Sequence, residues 1–223
     1  MSTMDIFFTA DEARILGVMV EKAMTTPANY PMSLNAVTVA CNQVSNRDPV
    51  VDYGDDTVER TLRALADRGL AKMVHRPGDR VVKYRHALSE ALEIDDRTLA
   101  LLSVLMLRGA QTPGELRQRT GRHVAFGSLP EVETTLESMR AADIVRRLDR
   151  RPGQKENRYV ELLSPRASGG QESVDGAEAS DVVEPILVQQ RATGAGIDVL
   201  RDEVAELRAR FELLLEQLGV DDL

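Results

Sequence analysis

A block of roughly 70–80 residues occurs twice in this chain, between residues 11 and 163. Four segments recur in the same order: residues 15–19 with 101–105, 26–27 with 112–113, 58–62 with 132–136, and 76–78 with 151–153. The offsets are 86, 86, 74 and 75, so the first copy is longer by about a dozen residues. Such self-similarity indicates one folding unit used twice, and it constrains the architecture more than any single motif does.

Length and cysteine usage set the class of protein. A chain of 223 residues suits one to three small domains. The single cysteine, Cys41, excludes an internal disulfide framework and indicates a reducing compartment. Residues 1–8 do not have the pattern of a signal peptide, and the longest apolar run, 99–107, is far shorter than the ~20 residues of a membrane span. We therefore expect a cytoplasmic protein with no membrane contact.

The net charge of −8 comes from the tail. Residues 1–92 carry 11 basic and 12 acidic side chains, residues 93–163 carry 12 and 11, and residues 164–223 carry 5 and 13. The repeated body is therefore nearly neutral. The charge of the whole chain neither supports nor excludes binding to DNA.

The first copy has the element order of a winged helix. Thr9, with Glu12 three positions later, has capping-box spacing, and a second helix begins near Ser33. A third helix over about 56–68 ends at Gly69. Two β-rich stretches follow, at 71–76 and 80–86, joined by Pro77-Gly78.

The second copy repeats this order. The capping signals lie at 112–115 and again at 128–131, and a hairpin over 144–150 and 157–163 turns through Pro152-Gly153. The predicted fold class is mainly α with small β-hairpins (α+β). We predict winged-helix domains at 1–90 and 91–163, a flexible acidic linker at 164–194 and an amphipathic helix at 195–219. The alternative is two unrelated α/β segments with an accidental likeness.

Several long motifs also resemble a known family. They are residues 30–35 (YPMSLN), 40–43 (ACNQ), 46–50 (NRDPV), 107–117 (LRGAQTPGELR) and 156–159 (ENRY). Over about 11–163 the chain resembles the YceH-like family of bacterial proteins. The resemblance implies a tandem winged-helix fold in a cytoplasmic bacterial protein, and it implies neither an enzymatic activity nor an established ligand.

Winged helices commonly place the third helix in the major groove of DNA and the hairpin on the backbone or minor groove. The third helix of the first copy offers Arg60 and Arg63 among acidic neighbours. The same face in the second copy carries Thr134 and Glu137, and a carboxylate there repels phosphates. The two third helices therefore do not form two identical DNA readers.

The second hairpin is the more basic of the two. Its six cationic residues are Arg146, Arg147, Arg150, Arg151, Lys155 and Arg158. Such a cluster can neutralise phosphates without reading sequence. The alternative is a solvated hairpin whose charges pair locally and with the acidic tail.

Two further patterns favour structural roles. The amide-rich segment 42–47 (NQVSNR) has side chains suited to base contacts, but the same groups close helix ends, and we favour that role. The three histidines, His75, His86 and His123, lack metal-ligand spacing, and Cys41 lies among apolar helix residues. We predict no catalytic residues, no cofactor and no metal site.

The tail ends in a heptad pattern. Apolar residues alternate at spacings of three and four: Ile197, Leu200, Val204, Leu207, Phe211, Leu214 and Leu218. About three heptads are marginal alone, so this helix needs a partner. Homodimerisation is our first expectation, ahead of packing onto a winged helix or binding another protein.

Two functions remain open. In the first, the protein is DNA-associated, for example a regulator, and a dimer presents paired winged helices. In the second, it is an adaptor whose winged helices bind a partner chain.

Overall fold

The structure is a computed structural model that describes residues 6–75, 81–150, 153–154 and 156–165. The first copy contains α1 (Ala10–Thr25), β1 (Met32–Ser33), α2 (Leu34–Cys41), α3 (Asp55–Asp67), β2 (Ala71–Val74) and β3 (Lys83–His86). The second copy follows α4 (Leu88–Leu92) and contains α5 (Asp96–Arg108), α6 (Pro113–Thr120), α7 (Leu129–Ala141), β4 (Val145–Leu148) and β5 (Arg158–Glu161). The described chain is mainly helical with small antiparallel hairpins, which confirms the predicted fold class.

Side-chain caps determine where the helices begin. Thr9 Oγ1 accepts from the Glu12 amide at 3.2 Å, and the Glu12 carboxylate accepts from the Thr9 amide at 2.7 Å. The same reciprocal box joins Thr112 and Glu115 at the start of α6. Ser33 caps α2 with one such bond. Each cap satisfies amides that have no partner inside the helix, and the predicted starts of these three helices are confirmed.

The start of α7 departs slightly from the capping box. Ser128 Oγ accepts from the Glu131 amide at 3.4 Å, as predicted. The Glu131 carboxylate, however, accepts from the Gly127 amide at 3.2 Å instead of from Ser128. The cap therefore includes one residue before the helix, and the position of the helix is unchanged.

The extra residues of the first copy lie on both sides of α2. The first helices of the copies are offset by 86 residues, whereas the caps Ser33 and Thr112 are offset by 79 and the caps Gly54 and Ser128 by 74. The insertion before α2 includes a 3-10 turn at Pro27–Asn29 and the strand β1. The remainder lengthens the loop between α2 and α3.

The first hairpin is part of a three-stranded sheet in the order β1-β3-β2. Strands β2 and β3 pair antiparallel with Met73 opposite Tyr84, and β1 pairs with β3 through Met32 and Tyr84. The second sheet has two strands, β4 and β5, with Arg147 opposite Tyr159. The predicted turn at Pro77-Gly78 lies outside the described residues. Gly153, in the second turn, has φ +83°, which a glycine adopts without strain.

The first helices of the two copies pack against each other, so the copies share one hydrophobic core. Gly17 of α1 lies in close contact with α5. A Cβ placed on Gly17 would be 3.0 Å from Leu107 Cγ and 3.2 Å from Met106 Cβ. The missing side chain lets the helices approach, and side chains such as Ile15 and Leu101 are fully buried as a result. The domain division at residue 90 stays a prediction.

The predicted linker beyond Pro165 and the helix at 195–219 lie outside the described residues. The apolar residues of the heptad pattern therefore also lie outside the described residues: Ile197, Leu200, Val204, Leu207, Phe211, Leu214 and Leu218. In the part of the chain that the structure describes, none of the helices has both the length and the apolar character that a bilayer crossing requires.

Candidate nucleic-acid interface

Helix α3 presents its two arginines to solvent. Val58, Leu62 and Leu65 are fully buried on one face, and Arg60 and Arg63 are exposed on the opposite one. Arg63 Nη2 donates to Glu59 Oε1 at 2.6 Å, but its side chain remains 66% exposed. Arg60 has a single long contact, 3.5 Å from Nη2 to Thr57 Oγ1. Both guanidinium groups are therefore positioned where a ligand outside the protein can reach them.

Polar side chains on the corresponding face of α7 bond to their own helix and to β5. Glu137 accepts from Arg140 Nε at 2.7 Å and from the Tyr159 hydroxyl at 3.2 Å. The hydrogen bond from Arg140 is the main cause that lowers the pKa of Glu137. Thr134 Oγ1 donates to the Pro130 carbonyl at 2.9 Å within the helix. Glu137 thus remains ionised at neutral pH, and it links α7 to β5.

The second hairpin carries exposed arginines on both of its faces. Successive side chains of a strand point to opposite faces, so Arg146 and Arg147 diverge. Arg147 is opposite Tyr159 and Arg146 is opposite Val160, and both arginines are exposed. Arg150 follows the strand, and its Nε donates to Asn157 Oδ1 at 3.3 Å across the hairpin. The cluster seen in sequence is therefore a two-sided ribbon.

Arg158 differs from the other arginines of this hairpin because it binds the protein itself. Its Nε donates to the Ala110 carbonyl at 3.2 Å, and its Nη2 donates to the same oxygen. The next residue, Gln111, pairs with Tyr159 through two backbone hydrogen bonds of 2.8 and 3.0 Å. Arg158 therefore holds segment 110–111 beside β5. The remaining two predicted contacts, Arg151 and Lys155, lie outside the described residues.

The amide-rich segment 42–47 has a structural role, as we favoured. Asn42 Oδ1 accepts from the Tyr53 amide at 2.8 Å, and Asn42 Nδ2 donates to the Tyr53 carbonyl at 2.9 Å. This pair closes the loop between α2 and α3. Arg47 is buried and donates to the Ala40 carbonyl and to the Glu21 carboxylate. These groups satisfy helix ends and loop backbone within the fold.

Cys41 is buried, and two of the three histidines, His86 and His123, are half-buried. Burial raises the pKa of the Cys41 thiol to about 12, so it is a protonated core residue, as predicted. Burial also lowers the pKa values of His86 and His123 below 6.5. Within the described ranges, no three His, Cys, Asp or Glu side chains come together as a metal site would require.

A polar cleft of about 920 Å³ opens where the two copies meet. The end of α1 and the loop after α2 contribute Glu21, Lys22, Thr25, Thr26, Gln43 and Asn46. The end of α5, the end of α6 and the residues that follow contribute Val104, Leu107, Arg108, Gln118, Arg119, Arg122 and His123. We name this the inter-repeat cleft. Sequence reasoning missed it because no two of its four segments form one motif.

Cations dominate the lining of the inter-repeat cleft. They are Lys22, Arg108, Arg119 and Arg122, against one carboxylate, Glu21. Lys22 Nζ lies 3.2 Å from Glu21 Oε1, and Arg119 Nη2 lies 3.5 Å from Glu115 Oε1. Burial, then the positive charge of Arg119, lower the pKa of Arg108. The lining residues of the cleft therefore carry an excess of formal positive charge.

Comparison with known proteins gives a consistent family match. Residues 8–154 match the model of a family described as a protein of unknown function, DUF480. A UPF0502 protein of Enterobacter sp. (strain 638) is 41% identical over 218 residues, which cover 95% of this chain and 97% of the relative. A UPF0502 protein of Opitutus terrae is 47% identical over 178 residues, covering 78% and 75%. The UPF0502 protein YceH of Escherichia fergusonii is 38% identical over 218 residues, covering 95% and 97%.

Proposed function

Since this chain belongs to the DUF480 family of proteins of unknown function, the YceH-like family expected from its motifs, we propose its role from its own surface. In this proposal, the chain is a non-enzymatic, DNA-associated protein made of two winged helices that share one core. Each copy places three helices before an antiparallel hairpin, which is the element order of that fold. The element order supports the fold assignment, and the surface charges support the ligand.

The observation that carries the proposal is the set of exposed arginines on the second hairpin. Arg146, Arg147 and Arg150 are all exposed on a two-stranded ribbon. Arginines on such a ribbon can contact phosphates on either side of it, and each contact releases condensed counterions from the DNA. Because the arginines lie on both faces, the ribbon suits insertion between two phosphate chains better than a flat approach to one.

The third helices support a division of labour between the copies. Arg60 and Arg63 are exposed on α3, whereas Glu133 is exposed on α7 and Glu137 binds Tyr159. A carboxylate facing phosphates is repulsive unless cations surround it. We therefore assign the helix of the first copy and the hairpin of the second copy to DNA, which makes the two copies one scaffold with two different surfaces.

The test measures fluorescence anisotropy of a labelled DNA duplex titrated with the full chain at low salt. The variant Arg146→Ala/Arg147→Ala should weaken binding at least tenfold, because two charged contacts are lost. The control, Arg97→Ala/Arg117→Ala, removes the same charge from exposed positions of α5 and α6 and should change affinity less than threefold. Because Arg97 pairs with Glu131 and Arg117 donates to the Gly127 carbonyl, circular dichroism verifies that this variant keeps its fold. Equal effects of the two variants, or no binding by the unaltered chain, would contradict the proposal.

A second candidate function, a protein-interaction adaptor, is favoured by apolar exposure on the first copy. Met73, Val81 and Val82 of the first hairpin region are 61%, 55% and 41% exposed. Exposed apolar side chains on a hairpin are typical of a partner surface. If this function is correct, Met73→Glu/Val81→Glu abolishes co-purification of a partner chain and leaves the anisotropy of the DNA duplex unchanged.

A further inference from the structure

The inter-repeat cleft is built from matching positions of the two copies. Lys22 and Arg108 are offset by 86 residues, which is the offset of α1 and α5, and both line the cleft. Gln43 and Arg122 each lie two residues beyond the end of the second helix of their copy. The cleft is therefore a consequence of the duplication: two equivalent corners, one from each copy, face a shared space.

The single carboxylate of the lining is already neutralised. Glu21 accepts from the buried Arg47 at 2.8 and 3.1 Å, and Lys22 approaches it at 3.2 Å. Among the described residues, neither Arg108 nor Arg122 has an ion-pair partner within 4.0 Å, and Arg108 Nη1 donates to the neutral side chain of Asn46. A ligand that entered here would therefore meet an excess of positive charge.

The donors of the cleft suit a phosphate group. Guanidinium groups bind phosphate through paired N–H donors, and Arg108, Arg119 and Arg122 come from two different segments. Gln43 and Gln118 add neutral donors from two different segments. The volume of about 920 Å³ falls within the range of small-molecule sites, and a DNA duplex is far too large to enter it.

We propose that the inter-repeat cleft binds a small phosphorylated molecule, with Arg108, Arg119 and Arg122 on the phosphates and Lys22 on the opposite wall. Such a ligand contacts both copies at once, so it stabilises their packing as well as the individual helices. The inter-repeat cleft shares no residue with the hairpin arginines assigned to DNA. Binding of a phosphorylated molecule in the cleft and binding of DNA at the hairpin can therefore be tested separately.

Inorganic pyrophosphate is the probe for this proposal, because it carries the phosphate charge without a base or sugar. Isothermal titration of the full chain at low ionic strength should show one site per chain, and the thermal midpoint should rise with pyrophosphate concentration.

Arg122→Gln should weaken binding at least tenfold. Arg122 is exposed and makes no hydrogen bond or ion pair with the described residues, so this change removes no contact that holds the fold. Arg122→Lys should restore part of the affinity, since it retains the charge but not the planar fork.

The matched control is Arg140→Gln, which removes an exposed arginine of α7 that belongs to neither the inter-repeat cleft nor the DNA surface and should leave pyrophosphate binding unchanged. Failure of the unaltered chain to bind millimolar pyrophosphate would overturn the proposal, as would equal binding by Arg122→Gln. A DNA arm separates the two ligand classes: Arg122→Gln should retain the anisotropy response to duplex. If Arg122→Gln instead loses DNA binding while pyrophosphate does not bind, the cleft contacts a nucleic-acid backbone and the small-ligand proposal is wrong.

Discussion

Both carboxylate oxygens of Glu21 accept hydrogen bonds from the guanidinium of Arg47, at 2.8 and 3.1 Å. The Arg47 side chain is fully buried, and its Nε also donates to the Ala40 carbonyl at 3.1 Å. Burial would raise the pKa of Glu21, but the hydrogen bond and charge of Arg47 offset it and lower the pKa below 4.5. This pair fixes the loop after α2 against α1, and its carboxylate, Glu21, lines the inter-repeat cleft.

Replacing Arg47 should therefore be costly. Arg47→Met leaves the Glu21 carboxylate and the Ala40 carbonyl without their donor, and we expect the free energy of unfolding to fall by about 3 kcal/mol. Urea denaturation followed by circular dichroism measures it. Arg63→Ala, which breaks an exposed pair with Glu59, is the control and should change stability by less than about 0.5 kcal/mol. Equal losses in the two variants would show that the buried pair contributes no more than a surface pair.

Gly17 should not tolerate a branched side chain. Gly17→Val places methyl groups against Leu107 and Met106, and pushing α1 and α5 apart should cost about 2–3 kcal/mol. Thermal denaturation of the full chain provides the measurement. Gly54→Ser is the matched control, since a Cβ there meets nothing within 4 Å and serine caps the start of α3 well. An unchanged midpoint for Gly17→Val would mean that the helices separate without loss.

Acid should destabilise the protein in two steps. Burial lowers the pKa values of His86 and His123 below 6.5 in the folded chain. Below about pH 6.5, these histidines are therefore protonated to a greater extent in the unfolded chain than in the folded chain. Stability therefore falls as the pH drops from about 7 towards 5, by at most about 1.4 kcal/mol per pH unit for each histidine. The lowered carboxyl pKa of Glu21 has a later effect: its contribution is present above 4.5 and is lost as the pH falls further.

Urea midpoints measured across this pH range test the assignment. His86→Gln/His123→Gln should flatten the first step and leave the second in place. A first step of the same size in the double variant would place the titration on other groups.

Arg158 should behave as a structural residue. Arg158→Ala removes a charge-assisted donor from the Ala110 carbonyl, and we expect a loss of about 1.5–2 kcal/mol in urea denaturation. Arg60→Ala, which loses only a 3.5 Å contact, should change stability by less than about 0.5 kcal/mol. If Arg158→Ala is as stable as the unaltered chain, its contact with Ala110 contributes nothing and the residue is available to a ligand.

Local signals allowed most of the fold to be predicted. The capping patterns at Thr9 and Thr112 place helix starts because they satisfy amides within four residues of chain. The strand β1 and helix α4 were not predicted, since β1 is two residues long and exists only through its pairing with β3. Helix α4 is five residues long and gains its stability from burying Leu88 and Leu92.

The candidate sites were harder to predict from the sequence than the fold. A run of arginines predicts a basic hairpin, but it does not reveal that Arg158 binds Ala110 while Arg146 and Arg147 diverge. That distinction depends on strand register and on a segment almost fifty positions away. The inter-repeat cleft depends on the packing of α1 against α5, so its cations could not be grouped before that packing was known.

Under the proposed function, the second hairpin and α3 contact DNA in different ways and to different extents. The most direct measurement is the slope of log Kobs for a DNA duplex against log salt concentration, since each neutralised phosphate contributes about −0.9. We predict that Arg146→Ala/Arg147→Ala/Arg150→Ala makes the slope shallower by about 2–3, and Arg60→Ala/Arg63→Ala by about 1–2. If both variants instead keep the slope of the unaltered chain, neither the second hairpin nor α3 contacts DNA phosphates.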